Sequence, residues 1–191
     1  MQLMLMKFSF DIDKRSGYSI AHAVKTIMLI GQNHIGRERL MKRLALNEAS
    51  ARTLLRRLEK QGYVTPGTAG HELTEKGKRL FLYVSKNVSG PKIIVDKKIA
   101  VSKYNVAYLI RHKTGKIRHG IEQRDQAIPL GAEGLITLVY DNGLVMPGLK
   151  LRVPQLNNLF EFKDGDVLLI GSAKTEVLAD IAALNSAIRL L

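Results

Sequence analysis

Apolar residues recur every three or four positions through most of the first half of the chain, and alternate or run together in short blocks through much of the second. Leu3, Leu5, Phe8 and Phe10 alternate like a strand, although the methionines among them suit a helix equally well. Residues 1–17 are therefore expected to form an arm that packs on the body or on a second subunit, with a break at Ser16 and Gly17. Ile20, Ala23, Val24, Ile27, Met28 and Gly31 make a stripe at helical period, which predicts a core helix ending at Asn33 and His34. Gly36 opens a second helix, Arg37 to Ala45, with Ile35 and Leu40 in staple positions and Leu40, Met41 and Leu44 facing inward. Only Leu46 and Asn47 separate it from a third helix. There Asn47 suits the N-cap and Glu48 the positive end of the helix dipole. Ala51, Leu54, Leu55 and Leu58 form a buried stripe, and Gly62 closes the helix.

Tyr63-Val64-Thr65 and His71-Glu72-Leu73, on either side of the turn residues Pro66 to Gly70, predict a short hairpin. Thr74 can cap a fourth helix, Glu75 to about Val88, with Leu80, Phe81, Val84 and Val88 on one side; Gly77 weakens its first turn. Ser89-Gly90-Pro91 then predicts a boundary, because neither Gly nor Pro continues a helix well.

Beyond the boundary, Ile93-Ile94-Val95, Ile99-Ala100-Val101 and Val106 to Ile110 read as strands, the last apolar on both faces as a central strand is. Lys113-Thr114-Gly115 turns the chain, and Ile117, Ile121 and Ile128 predict a helix ending near Pro129. Leu135 to Tyr140, Asn142-Gly143 and Leu144 to Met146 read as a hairpin with a type I′ turn. Leu149 to Phe162 fits no element. Asp164-Gly165 leads into a strand, Asp166 to Ile170, and then a helix to Leu191 with Val177, Leu178, Ile181, Leu184 and Ile188 inward. The fold class is α+β. A mostly helical first domain (18–89) is followed by a two-layer α+β domain (90–191) with a mainly antiparallel sheet and two helices.

Charge sharpens this picture. Lys and Arg number 30 against 17 acids, a formal net charge of +13, which on a folded chain points to a polyanionic partner. Residues 1–90 hold 16 basic and 7 acidic side chains and the remainder 14 and 10, so the first half is the stronger candidate. The third helix concentrates the effect: Arg52, Thr53, Arg56, Arg57 and Lys60 lie off its buried stripe. The same stretch also reads as an ordinary solvated surface helix. The chain has no cysteine, which excludes disulfides, thiolate zinc sites and cysteine nucleophiles. It has no apolar run near the ~20 residues of a membrane span and no signal-cleavage pattern, so a cytoplasmic protein without membrane contact is expected.

Two helices joined by a tight turn, the second one cationic, then a hairpin and a helix, resemble the winged helix-turn-helix DNA-binding domains of prokaryotic transcription regulators. The most specific marks are Arg57-Leu58-Glu59-Lys60-Gln61-Gly62-Tyr63-Val64 and Leu73-Thr74-Glu75-Lys76-Gly77. The resemblance implies a recognition helix at about 48–61. Ala49, Ser50, Arg52 and Thr53 would then face bases, with Arg56 and Arg57 nearer the backbone. Arg37, Arg39 and Lys60 complete the expected DNA-binding set. Its partner would be double-stranded DNA, and paired half-sites imply a homodimer. The wing carries no Arg or Lys between Gly62 and Leu73, which argues against strong phosphate contacts there. As a whole the chain is similar to a small archaeal family that joins such a domain to an α+β domain. Ile128-Pro129-Leu130-Gly131-Ala132-Glu133-Gly134 and Leu168-Leu169-Ile170-Gly171-Ser172-Ala173 carry that likeness. The second half is also similar in element order to the inserted domain of bacterial aspartyl-tRNA synthetases, which implies architecture and no activity.

Other chemistry is sparse. Gly171, Ser172 and Ala173, between a strand and a helix, are candidates for holding an anion such as a phosphate or carboxylate, and a tight turn explains them equally well. Arg111, His112, Lys113, Lys116, Arg118 and His119 are either a second phosphate-contacting patch or a solvated turn. His112 and His119 lack a third ligand, so no metal is expected, and neither is a cofactor. No Walker loop, nucleophile elbow or zinc-protease motif occurs. The leading expectation is a transcription regulator whose second domain dimerises or senses a small-molecule effector. The alternatives are an RNA-binding or translation-associated protein and, more remotely, an enzyme with an anion site at 171–173.

Overall fold

The computed structural model describes residues 10, 17–33, 35–68, 70–96 and 98–191, with the side chain of Arg37 outside that set. The arm expected over 1–17 therefore lies, apart from Phe10 and Gly17, outside the described residues. The Phe10 ring sits 4.9 Å from that of Tyr63. The chain divides into two compact units between Lys86 and Asn87.

Among the described residues the first unit contains four helices and a hairpin: α1 (Ile20–Gln32), α2 (Arg37–Leu44), α3 (Glu48–Lys60), β1 (Val64–Gly67), β2 (Gly70–Leu73) and α4 (Glu75–Asn87). The stripe expected on α1 is broader in the structure, because His22, Lys25 and Thr26 are buried along with Ala21, Ala23, Val24, Ile27, Met28 and Ile30. A helix enclosed on nearly every side belongs at the centre of its unit. Its polar side chains are satisfied locally, as where the Thr26 hydroxyl donates to the His22 carbonyl at 2.8 Å. Ala45, in the left-handed region at φ 50°, ends α2 and turns the chain sharply into α3.

In α3 the expected caps are present. The Asn47 side-chain oxygen accepts from the Ser50 amide at 2.8 Å, and Gly62, at φ 73°, follows the last turn. Ala51, Leu54, Leu55 and Leu58 are buried. The hairpin pairs Val64 with Leu73 through Gly67 with Gly70.

The second unit is a six-stranded antiparallel sheet in the order β3-β4-β8-β5-β6-β7. Its strands are β3 (Val88–Ile93), β4 (Tyr104–Ile110), β5 (Gly134–Tyr140), β6 (Leu144–Met146), β7 (Leu151–Arg152) and β8 (Val167–Ala173). Two helices, α5 (Ile121–Ala127) and α6 (Glu176–Leu190), complete it. From the helical side, Asp180 of α6 accepts a hydrogen bond from the Tyr108 hydroxyl of β4. On the other face Ala107, Leu138, Leu168 and Ile170 pack against Ile94, Ile99, Val153 and Leu156, so irregular segments cover what helices do not.

Several expectations are corrected. Ser89-Gly90-Pro91 lies inside β3, an edge strand with an irregularity in its register between Ser89 and Lys92, where a proline is tolerated. Residues 99–101 are not a strand, because Asp96 closes a turn by accepting from the Lys98 and Ile99 amides. The helix expected from Ile117 begins only at Ile121. Gly120 precedes it at φ 81°, and a Cβ there would fall 2.8 Å from Thr137. At Asn142-Gly143 both φ values are positive, but the loop has three residues, 141–143, because Tyr140 pairs with Leu144. The segment left unassigned supplies β7 and a short 3-10 turn at Pro154–Leu156.

Candidate nucleic-acid interface

The two sides of α3 are chemically opposed. While the leucine stripe is buried, Ala49, Arg52, Thr53, Arg56 and Lys60 are exposed and Ser50 is half-buried. Arg52 donates to Glu48 one turn earlier, an exposed i,i+4 pair of the kind that contributes little to stability. Among the described residues no ion-pair partner is recorded for Arg56 or Lys60. Arg57 differs from its neighbours: it is half-buried, its guanidinium 6.0 Å from the centre of the Tyr18 ring. The Thr53 hydroxyl donates to the Ala49 carbonyl at 2.9 Å and must release it to reach a base.

Helix α2 adds a second group. Lys42 is neutralised by Glu38 at 2.8 Å, and that hydrogen bond, with the lysine charge, holds the Glu38 carboxyl below its usual range. Arg39 and Arg43 lie one turn apart and line an open cleft of about 640 Å³ with Leu29, Gln32, Asn33 and Ile35. Among the described residues no acid lines that cleft. Arg43 is absent from the expected set, although its i,i+4 spacing from Arg39 signals a shared face. The backbone of Arg37 starts α2.

The hairpin contributes no cation. Its His71 ring is 2.6 Å from Glu59 near the end of α3, and Glu72 is exposed. This ties the hairpin to α3 through side chains. Lys76 separately ties the start of α4 to the end of α3, donating to the Gln61 carbonyl at 2.8 Å with its ammonium 4.2 Å from the centre of the Tyr63 ring.

Gly171, Ser172 and Ala173 do not form the anion-holding turn considered for them. All three are buried in β8, paired with Val106, Asn105 and Tyr104 of β4, and Gly171 and Ser172 also pair with Leu135 and Gly134 of β5. The glycine has a packing cause, since a Cβ on Gly171 would fall 2.7 Å from the Ala179 carbonyl of α6. The turn itself is made by Lys174 and Thr175, and the Thr175 hydroxyl accepts from the Leu178 amide.

The cluster around Arg111 is also largely engaged. Arg111 bonds Asp166, Lys116 donates to the Leu190 carbonyl at 2.7 Å, and Lys113 is buried. Burial, and secondarily the charge of Lys116, pushes the Lys113 ammonium below its usual range. Among the described residues no group of three His, Asp or Glu is arranged to hold a metal ion, and no helix is long and apolar enough to cross a membrane.

A basic helical unit with a hairpin, followed by an antiparallel α+β unit, is the class that these features define. Residues 101–190 match the family described as a domain of unknown function (DUF4443). Over most of its length the chain is similar to the hypothetical protein PH0730 from Pyrococcus horikoshii OT3. The two are 27% identical with a TM-score of 0.75, and the match covers 91% of this chain and 92% of that one. No curated protein matches the chain. The two matches together support a likeness to an archaeal family without an assigned role.

Proposed function

We propose that the chain is a sequence-specific DNA-binding transcription regulator, with residues 18–89 acting as a winged helix-turn-helix and α3 as its recognition helix. The observation that carries this reading is the division of α3 into a buried leucine stripe and an exposed face bearing Arg52, Arg56 and Lys60, directly after the tight turn at Ala45. An α-helix fits the major groove of B-DNA. There an arginine can donate two hydrogen bonds to guanine, while Ser50 and Thr53 are of the type that reads either base of a pair. Arg39 and Arg43 are suited to phosphates, and the cation-free hairpin leaves them most of that task. The second unit serves dimerisation, effector sensing or both, and a homodimer in the cytoplasm is the expected working form.

Selection of bound duplexes from a random pool tests the reading, followed by the double variant Arg52→Glu, Arg56→Glu. Both side chains are exposed, so the variant should lose duplex binding and keep its melting temperature. Binding that survives the double reversal would sink the proposal.

A further inference from the structure

The second unit contains a cavity of about 470 Å³ where Ile93 at the end of β3, Ile94 and Val95 just after it, the stretch from Ala100 into the start of β4 and the first residue of α6 meet. Ile93, Ile94, Val95 and Ala100 supply apolar walls, and Tyr104 adds a ring. Ile93 is 54% and Val95 87% exposed, so much of this apolar surface still faces water. The volume lies within the range of about 300–1,000 Å³ usual for small-molecule sites.

The neutral polar groups of the lining are mostly committed to the protein. The Asn105 amide nitrogen donates to the Ser102 carbonyl at 2.8 Å. Its oxygen accepts from the Ser172 hydroxyl at 2.6 Å and from the Val101 amide at 3.2 Å. The Ser102 hydroxyl donates to Glu133. Among the described lining residues two charges of opposite sign remain, Lys103 and Glu176, both exposed, and neither has an ion-pair partner within that set. The Lys103 ammonium lies 5.2 Å from the centre of the Tyr104 ring.

We propose that this cavity binds a small zwitterion with an apolar side chain, the chemical class of the apolar α-amino acids. A ligand carrying only a carboxylate would meet Lys103 but be repelled by Glu176, and one carrying only an ammonium would meet the reverse. A zwitterion answers both charges. The apolar walls favour a leucine-like or phenylalanine-like body over a polar one. In a protein that also binds DNA, such a ligand is suited to act as an effector. The site is nevertheless argued from the second unit alone.

The test is calorimetric titration and thermal melting of the full chain, without DNA, using L-leucine and L-phenylalanine. 4-Methylpentanoate and 3-methylbutylamine serve as probes that each lack one charge. Saturable binding and a raised melting temperature are expected with the amino acids, and binding weaker by at least about tenfold with each single-charge probe. Lys103→Gln and Glu176→Gln should each weaken leucine binding by about the same factor while still melting in one cooperative transition, slightly lower for Glu176→Gln, which gives up a first-turn acid of α6. The proposal is overturned if neither amino acid binds at millimolar concentration, if a single-charge probe binds as tightly, or if both variants bind leucine like the parent. Because no DNA enters the measurement, its failure would leave the DNA-binding reading intact, and the converse also holds.

Discussion

The guanidinium of Arg111 donates to the carboxylate of Asp166 at 2.7 Å, and Asp166 is completely buried. The same carboxylate accepts from the His112 amide at 3.0 Å and the Lys163 amide at 2.9 Å, while Arg111 also donates to the Glu161 carbonyl at 2.8 Å. One acid therefore fastens the end of β4, the start of β8 and the irregular segment between β7 and β8. Removing Asp166 leaves the His112 and Lys163 amides and the Arg111 guanidinium without their shared acceptor, so Asp166→Ala should destabilise the chain by about 3–5 kcal/mol in urea unfolding. Arg111→Met should cost less, since that side chain is partly exposed and its removal leaves two amides still on the carboxylate. Equal losses would mean that the ion pair, rather than the amide bonds, dominates.

Lys116 is a basic residue whose contact is structural. Its ammonium reaches the Leu190 carbonyl in the last turn of α6, where unpaired carbonyls and the negative end of the helix dipole favour a cation. Lys116→Met should lower stability by roughly 0.5–2 kcal/mol and leave the affinity for structured RNA and for duplex DNA unchanged in a competition assay. A large loss of RNA affinity at unchanged stability would restore the cluster as a nucleic-acid patch.

His22 gives the first unit a defined response to acid. Its Nδ1 accepts from the Ser19 amide at 3.0 Å, and a further ring hydrogen bond reaches the Leu44 backbone at the end of α2. Burial lowers its pKa from 6.5 to about 4, against the smaller raising effect of the Leu44 bond. The folded state thus keeps the ring neutral while the unfolded chain takes up a proton below pH 6.5. The associated stability is intact above that pH and is lost as the pH falls toward 4, by roughly 3 kcal/mol in all. The difference in unfolding free energy between the parent and His22→Gln should change across that window and be flat above it. A pH-independent difference would show that the ring titrates normally.

The first unit was legible because period, cap and stop agree within each helix: Asn47, the stripe from Ala51 to Leu58, and Gly62 all specify one element. The second unit was less so. A glycine and a proline side by side read as a break, yet on an edge strand with an irregular register they cost little. Ile99 carries strand propensity but is buried from within a turn, where tertiary packing outweighs local preference. Gly171-Ser172-Ala173 suggests a ligand turn, but the glycine there answers the close approach of α6. The cationic face of α3 could be read from periodicity alone. The meeting of Lys103 and Glu176 at one cavity could not, because no motif joins residues that only the fold brings together.

Gly77 shows how a residue that weakens a helix in sequence can be required by packing. The Thr74 hydroxyl accepts from the Gly77 amide at 3.1 Å and donates to the Gly62 carbonyl at 2.6 Å, so the start of α4 is held against the end of α3. A Cβ at Gly77 would lie 2.1 Å from the Tyr63 carbonyl oxygen, a backbone atom that cannot move aside cheaply. Alanine gains about 1 kcal/mol of helix propensity, but overpacking of this kind costs about 1–3 kcal/mol. Gly77→Ala should therefore be neutral to destabilising in urea unfolding, whereas an exposed helical glycine would be stabilised by the same change.

Salt dependence separates the roles proposed for α2 and α3. Each phosphate neutralised by the protein releases condensed counterion, so the slope of log affinity against log salt scales with the number of such contacts. If Arg39 and Arg43 hold backbone phosphates, Arg43→Gln should weaken selected and random duplexes alike and flatten the slope by about 1. If Arg52 faces a guanine, Arg52→Gln should instead cost about 1–3 kcal/mol on the selected duplex and little on random DNA. A slope unchanged by Arg43→Gln would remove the α2 cleft from the interface. Equal losses on both duplexes for Arg52→Gln would reassign that residue to the backbone, leaving sequence recognition to Ala49, Ser50 and Thr53.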